Sequence, residues 1–192
     1  MAPKKLTKRL ASGKSPAGSR AKSSGQAESS RKTKAPATKT LGPGAAAPPF
    51  ALPRDGGGTV SLADFAGQKL VLYFYPRADT PGCTKEAMDF SRLADAFKRA
   101  GTQIVGVSAD AVAAQDKFKA KYDLSIALAS DETRRMLEAY GVWQEKTLYG
   151  RKFMGIVRTT FLIGPDALIV RMWPKVSVSG HADEVLAAAR EL

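Results

Sequence analysis

The chain has 192 residues but one cysteine, Cys83, and one histidine, His181. A lone cysteine excludes an internal disulfide, a Cys-x-x-Cys redox pair and a multi-cysteine zinc site. A lone histidine excludes His-cluster metal sites and makes a Ser-His-Asp triad a remote reading. No run approaches the roughly 18 consecutive apolar residues of a membrane span. The basic start is not followed by an apolar stretch, so no secretory signal is expected and a reducing, cytoplasmic compartment is the default. Acid is almost missing from one region. Residues 1–48 carry 11 Lys and Arg against Glu28 alone, a net +10 out of the chain's +12, and they contain no aromatic residue.

That region is Lys, Ala, Ser, Pro, Gly and Thr with few large apolar side chains. It cannot bury enough surface to offset its ordering entropy, so a disordered tail is expected over residues 1–44 and a folded domain over 45–192. The tail has three readings: a solvated arm, a sequence-independent nucleic-acid contact made by phosphate neutralisation, or an address (nuclear, nucleoid or, with less support, an organellar transit peptide). Base stacking is excluded by the missing aromatics.

The body alternates strand and helix signals. Pro49–Leu52 and Thr59–Leu62 flank the turn Asp55-Gly-Gly-Gly58. That turn lacks the lysine a phosphate-binding loop would need. Lys69–Tyr75, ended by Pro76, reads as a strand buried on both faces. Residues 83–99 have helical spacing. Gln103–Ser108 is a second buried strand, and Asp110 is positioned to cap a helix running to Lys121. A short strand at Ile126–Leu128, a helix at Glu132–Tyr140, a strand pair Ile156–Ile163 and Leu168–Trp173, and a helix over 181–191 complete the pattern. The fold class is therefore α/β around a central sheet. His181 reads as a surface residue at a helix start, and Trp143 and Trp173 as packing residues, either of which could border a pocket.

Pro81-Gly82 makes a turn that places Cys83 in the first turn of its helix. Unpaired backbone N–H groups and the helix dipole there favour a thiolate. A buried, inert cysteine is the competing reading.

Pro76-Arg-Ala-Asp-Thr80-Pro-Gly-Cys83 resembles the Pro-x-x-x-Thr-x-x-Cys signature of peroxiredoxins, and Thr80–Ala87 is close to the form of the Q-type (bacterioferritin comigratory protein) subfamily. Ala47–Leu52, Gly155–Ile163 and Val176–Leu186 are similar to further segments of that family. The resemblance covers about residues 42–192 and leaves the tail outside. It implies a thioredoxin-like fold, a central mixed β-sheet flanked by helices, and a thiol-dependent peroxidase acting on hydrogen peroxide and organic hydroperoxides. Carried over, Cys83 would be the peroxidatic nucleophile and Thr80 would hydrogen-bond peroxide and thiolate. Arg158 would stabilise negative charge, Pro76 would shield the sulfur from water, and Glu86 would brace Arg158. Many Q-type proteins place a resolving cysteine five residues later; here that residue is Met88. An external thiol would then be the reductant: thioredoxin, glutaredoxin or glutathione. No cofactor, metal or membrane is expected, and the expected state is a monomer. Two rival readings remain, a nucleic-acid-associated protein with the body as scaffold, and a thiol redox sensor.

Magnitudes indicate what the neighbours of a reactive thiol must supply. A thiol of pKa about 8.5 is only about 3% thiolate at pH 7, and lowering the pKa to about 6 gains roughly 30-fold. A Brønsted slope of about 0.4–0.5 returns more than tenfold of that gain. Fast peroxide reduction must therefore come mostly from donors positioned at the breaking O–O bond.

Overall fold

The structure, a computed structural model, describes residues 41–148 and 150–192. The expectation of disorder over residues 1–40 lies outside the described residues. Residues 41–44, grouped with the tail by composition, lie against the body. Leu41 packs on the core, and the Gly44 N–H donates to the Ile169 carbonyl at 2.8 Å.

The first elements are the hairpin β1 (Ala51–Pro53) and β2 (Thr59–Ser61), followed by a 3₁₀ turn at Leu62–Phe65. Then come β3 (Lys69–Phe74), α1 (Pro81–Arg99), β4 (Thr102–Ser108), α2 (Val112–Tyr122), β5 (Ala127–Ser130) and α3 (Arg135–Ala139). The chain closes with β6 (Trp143–Leu148), β7 (Arg151–Ile156), β8 (Thr159–Ile163), β9 (Ile169–Pro174) and α4 (His181–Arg190). The central sheet has the order β5-β4-β3-β8-β9. β3, β4 and β5 are parallel, whereas β8 pairs antiparallel with both β3 and β9, so the sheet is mixed, as expected.

Each strand of the sheet alternates between two apolar layers. Leu70, Leu72, Phe74, Val105, Val107, Phe161 and Ile163 face a core closed by β1–β2 and α3. Val71, Tyr73, Ile104, Leu128 and Leu162 face a second core closed by α1, α2 and α4. Tyr73 fits there only because its β4 partner is Gly106; a Cβ at that position would stand 2.5 Å from the Tyr73 ring.

Several expectations are corrected. The proposed strand Ile156–Ile163 is interrupted at Val157–Arg158, and β7 pairs instead with β6 as a separate ribbon. That ribbon is largely exposed and carries charge on both strands, so it lacks the apolar alternation that betrays a strand. The helix expected over Glu132–Tyr140 begins at Arg135, because the Asp131 carboxylate holds the turn ahead of it by accepting the Leu137 N–H at 2.9 Å. Asp110 does not cap α2. The N-cap is Ala111, and the Asp110 carboxylate turns back toward the loop after β3.

Candidate active site

β3 and β4 are parallel neighbours, so the segments that follow them leave the same edge of the sheet, the usual place for ligands in such sheets. The segment after β3 runs from Pro76 to Thr80. Asp79 within it holds a left-handed backbone (φ 58°), and the Thr80 backbone is extended before α1 begins at Pro81. Proline at the first helical position has no N–H to leave unsatisfied. Cys83 therefore sits in the first turn of α1, among N–H groups that lack intrahelical acceptors.

Cys83 is only 2% exposed and belongs to the apolar cluster with Tyr73, Ala87 and Phe90. Arg158 reaches it from the break between β7 and β8: Nη2 donates to Sγ at 3.2 Å. The Nη1 of the same guanidinium donates to Glu86 Oε2, one turn of α1 beyond the cysteine. Glu86 is 1% exposed, and its Oε1 has no hydrogen-bond partner among the described residues. Burial pushes the Glu86 carboxyl up to about 7, against the pull of Arg158. Burial also disfavours the Arg158 cation, but the charges of Glu86 and Cys83 outweigh it and raise the guanidinium pKa, so it stays charged. The Tyr73 hydroxyl, buried nearby without a partner among the described residues, is pushed well above its ordinary range by burial and stays neutral.

The structure thus brings together Cys83, Arg158 and Glu86, which are up to 75 positions apart in sequence. Thr80 differs from its expected contact, because Oγ1 donates to the Arg77 carbonyl at 2.9 Å and not to the sulfur. The hydroxyl proton is used to close the turn, while the oxygen keeps lone pairs that can accept a proton donor. Pro76 is exposed at the head of the loop, and the burial of the sulfur comes from its apolar cluster. Met88, the residue five positions after Cys83, is 49% exposed. Among the described residues no cluster of His, Cys, Asp or Glu could hold a metal ion.

His181 is corrected from a surface residue to a buried one, 5% exposed. Its Nε2 lies 2.8 Å from Thr160 Oγ1, and its ring stands edge-on to Phe90 and Trp173. Burial lowers its pKa to about 4, so the ring is neutral at pH 7. Trp173 donates to Glu184 at 2.7 Å, and Trp143 stacks under the Arg134 guanidinium. Both tryptophans are packing residues. Asp110 was missed as a member of this region. The available signal was the pair Ser108 and Asp110 at the end of a buried parallel strand, where a polar cluster is unusual.

Three comparisons bear on this geometry. Residues 43–172 match the model of the AhpC/TSA family. The chain is 48% identical over 143 residues to a putative peroxiredoxin bcp of Coxiella burnetii, covering 74% of this chain and 95% of that one. It is 40% identical over 153 residues to peroxiredoxin Bcp of Bacillus subtilis, covering 80% and 98%. A solved structure of Xanthomonas campestris bacterioferritin comigratory protein, studied for its alkyl peroxide reduction activity, superposes with a TM-score of 0.71 at 44% identity over 74% of this chain and 90% of that one.

Proposed function

This chain belongs to the AhpC/TSA family, as a peroxiredoxin of the Q type, and from that premise we propose how its own residues divide the reaction. It is a thiol-dependent peroxidase. Cys83 is the nucleophile. Its thiolate attacks one peroxide oxygen, the S–O bond forms as the O–O bond breaks, and the other oxygen leaves as alkoxide or hydroxide. That oxygen takes up a proton as alcohol or water, and Cys83 is left as sulfenic acid. Arg158 carries the charge that passes from sulfur to the leaving oxygen, since its two N–H arms already span Cys83 and Glu86. Glu86 fixes the guanidinium. The Thr80 oxygen accepts the peroxide O–H, and the unpaired N–H of the first helical turn assists at the departing oxygen. Pro76 opens the loop that carries these groups.

With Met88 in the place of a resolving cysteine, the sulfenic acid has no internal partner. An external thiol attacks the sulfur, forms a mixed disulfide and releases water; a second thiol then frees Cys83. Thioredoxin, glutaredoxin and glutathione all supply that chemistry. The observation that carries the proposal is the contact of Arg158 with the sulfur of the chain's one cysteine. Peroxide consumption by the purified protein, with each reductant in turn, tests it. Mass spectrometry after peroxide alone should find one and then two oxygens added on Cys83. A dominant Cys83–Cys83 dimer formed at catalytic rates would replace the external thiol by a second subunit.

The comparisons lend no support to a nucleic-acid protein with the body as mere scaffold. The tail's +10 charge supports a narrower role beside the enzymatic one, a loose attraction of the peroxidase to nucleic acid. The lone thiol supports a reducing, cytoplasmic setting, and no helix among the described residues is long and apolar enough to cross a membrane.

A further inference from the structure

The loop that carries Thr80 is not held by its own residues alone. The Ala78 N–H donates to Asp110 Oδ2 at 2.7 Å, across from the end of β4. The same oxygen accepts the Ser108 hydroxyl at 2.8 Å. Ser108 Oγ in turn accepts Gln115 Nε2 at 2.8 Å, and Gln115 Oε1 accepts the Tyr75 hydroxyl. Ser108 and Gln115 are fully buried, and Tyr75 nearly so. The Ser130 hydroxyl donates to the Asp110 carbonyl, so the backbone that aims the carboxylate is also fixed. Tyr75, Gln115 and Ser108 each donate one step closer to Asp110, and Gln115 Nε2 also donates to the Ala129 carbonyl at 3.3 Å. The chain of bonds begins at Tyr75, the last residue before the loop, and returns to Ala78 within it.

We infer that Asp110 is a positioning residue for peroxide reduction: as the terminal acceptor of the Tyr75–Gln115–Ser108 relay, it fixes the 76–80 loop and with it Thr80 and the first turn of α1. This rests on the reading of Cys83 as the peroxidatic nucleophile. A relay whose members each donate to the next ends well only on an acceptor, and a buried hydroxyl or amide left without its partner is costly. The other restraint on the loop is weaker. Asp79 is held by Lys121 and Tyr122 at the exposed surface, where an ion pair is screened by water. Asp110 therefore carries the positional precision of the loop. A shift of about 1 Å in a group that orients reactants can cost about 10²-fold in rate.

The experiment compares Asp110→Ala and Asp110→Asn with the full-length wild type. Two rates are measured on each reduced protein: reaction with hydrogen peroxide, and alkylation of Cys83 by iodoacetamide, which breaks no O–O bond and has no use for the positioned donors. Asp110→Ala is expected to slow the peroxide reaction about 10- to 100-fold, with alkylation unchanged or faster. Asp110→Asn retains one carbonyl oxygen able to accept both Ala78 and Ser108, and is expected to recover most of the peroxide rate. Both variants remove the charge equally, so the difference between them reports the acceptor alone. A wild-type peroxide rate in Asp110→Ala overturns the inference. So does an Asp110→Asn rate as low as that of Asp110→Ala, or alkylation slowed by the same factor as the peroxide reaction. Should Asp110→Ala fail to fold, Ser108→Ala removes one donor and leaves the Ala78 bond; it is expected to slow the peroxide reaction by a smaller factor, and an unchanged rate overturns the inference. A wild-type protein inert to peroxide overturns the peroxidatic reading of Cys83 instead.

Discussion

The two faces of the central sheet do different work. The face under β1–β2 and α3 is almost wholly apolar, with Leu70, Leu72, Phe74, Val105, Val107, Phe161 and Ile163 packed together. The face under α1, α2 and α4 buries Tyr73, Tyr75, Cys83, Glu86, Gln115, Thr160 and His181. Both faces use the same strands, so one residue of register separates stability from chemistry. The first face supplies transfer free energy. The second uses that support to bury groups that would otherwise be solvated, and burial is what perturbs Glu86 and His181.

The widest separation of the faces should come from Cys83→Ser, which is expected to abolish peroxide reduction and leave the thermal midpoint close to the wild type. Residual turnover in that variant would move the chemistry elsewhere. Arg158→Ala should lower the peroxide rate by about 10²–10³, the scale for a positioned donor, and Thr80→Val, which removes the oxygen that accepts and orients the peroxide O–H, should lower it by about 10². Rapid-mixing measurements across pH would show whether the loss persists when the thiol is fully ionised, as a transition-state role requires.

Leu72→Ala, on the opposite face, should cost about 2–5 kcal/mol by denaturant unfolding and leave the peroxide rate of the folded fraction unchanged. A rate loss without a stability loss would break the division between the faces.

A subtler test uses pH. Glu86 has a folded pKa of about 7, above its ordinary value of 4.5, so it binds more protons folded than unfolded, and its contribution to stability declines as pH rises from about 4.5 to 7. His181 is depressed from 6.5 to about 4, so its contribution declines as pH falls through that window. The two oppose each other and flatten the wild-type profile. Glu86→Gln should leave a midpoint that rises with pH between 4.5 and 6.5, and His181→Asn one that falls. Parallel profiles for both variants would contradict the shifts.

The smallest effect is expected from removing residues 1–40, outside the described region and remote in sequence from Cys83, Thr80 and Arg158. Turnover of small peroxides should not change. Retention on DNA, if about six phosphates are neutralised, should fall roughly 10³-fold between 50 and 200 mM salt and disappear with the tail. Equal retention of both proteins would assign it to the body.

Much of this was legible along the chain because the signals were local. The buried run Lys69–Tyr75, the turn Pro81-Gly82 and the helical spacing after Cys83 determined the strand–loop–helix that presents the thiol. The charge partition over residues 1–48 marked a basic tail, set at residues 1–44, as distinct from the body, although residues 41–44 pack against that body. Arg158 and Glu86 were reached through resemblance, because nothing local at Arg158 says that a break between β7 and β8 will aim it at a sulfur 75 positions away. Tertiary structure alone decided the roles of Asp110 and His181. An Asp just before a helix has a capping role by default, and a His at a helix start is exposed by default. The parallel pairing of β3 with β4 placed the Ala78 N–H closer to Asp110 than the helix's own amides, and the packing of α4 on β8 carried His181 out of water. A side chain's own spacing determines what it can bond; which of the available partners it meets depends on strands and helices far away in sequence, and that choice is made only when the two layers close over the sheet.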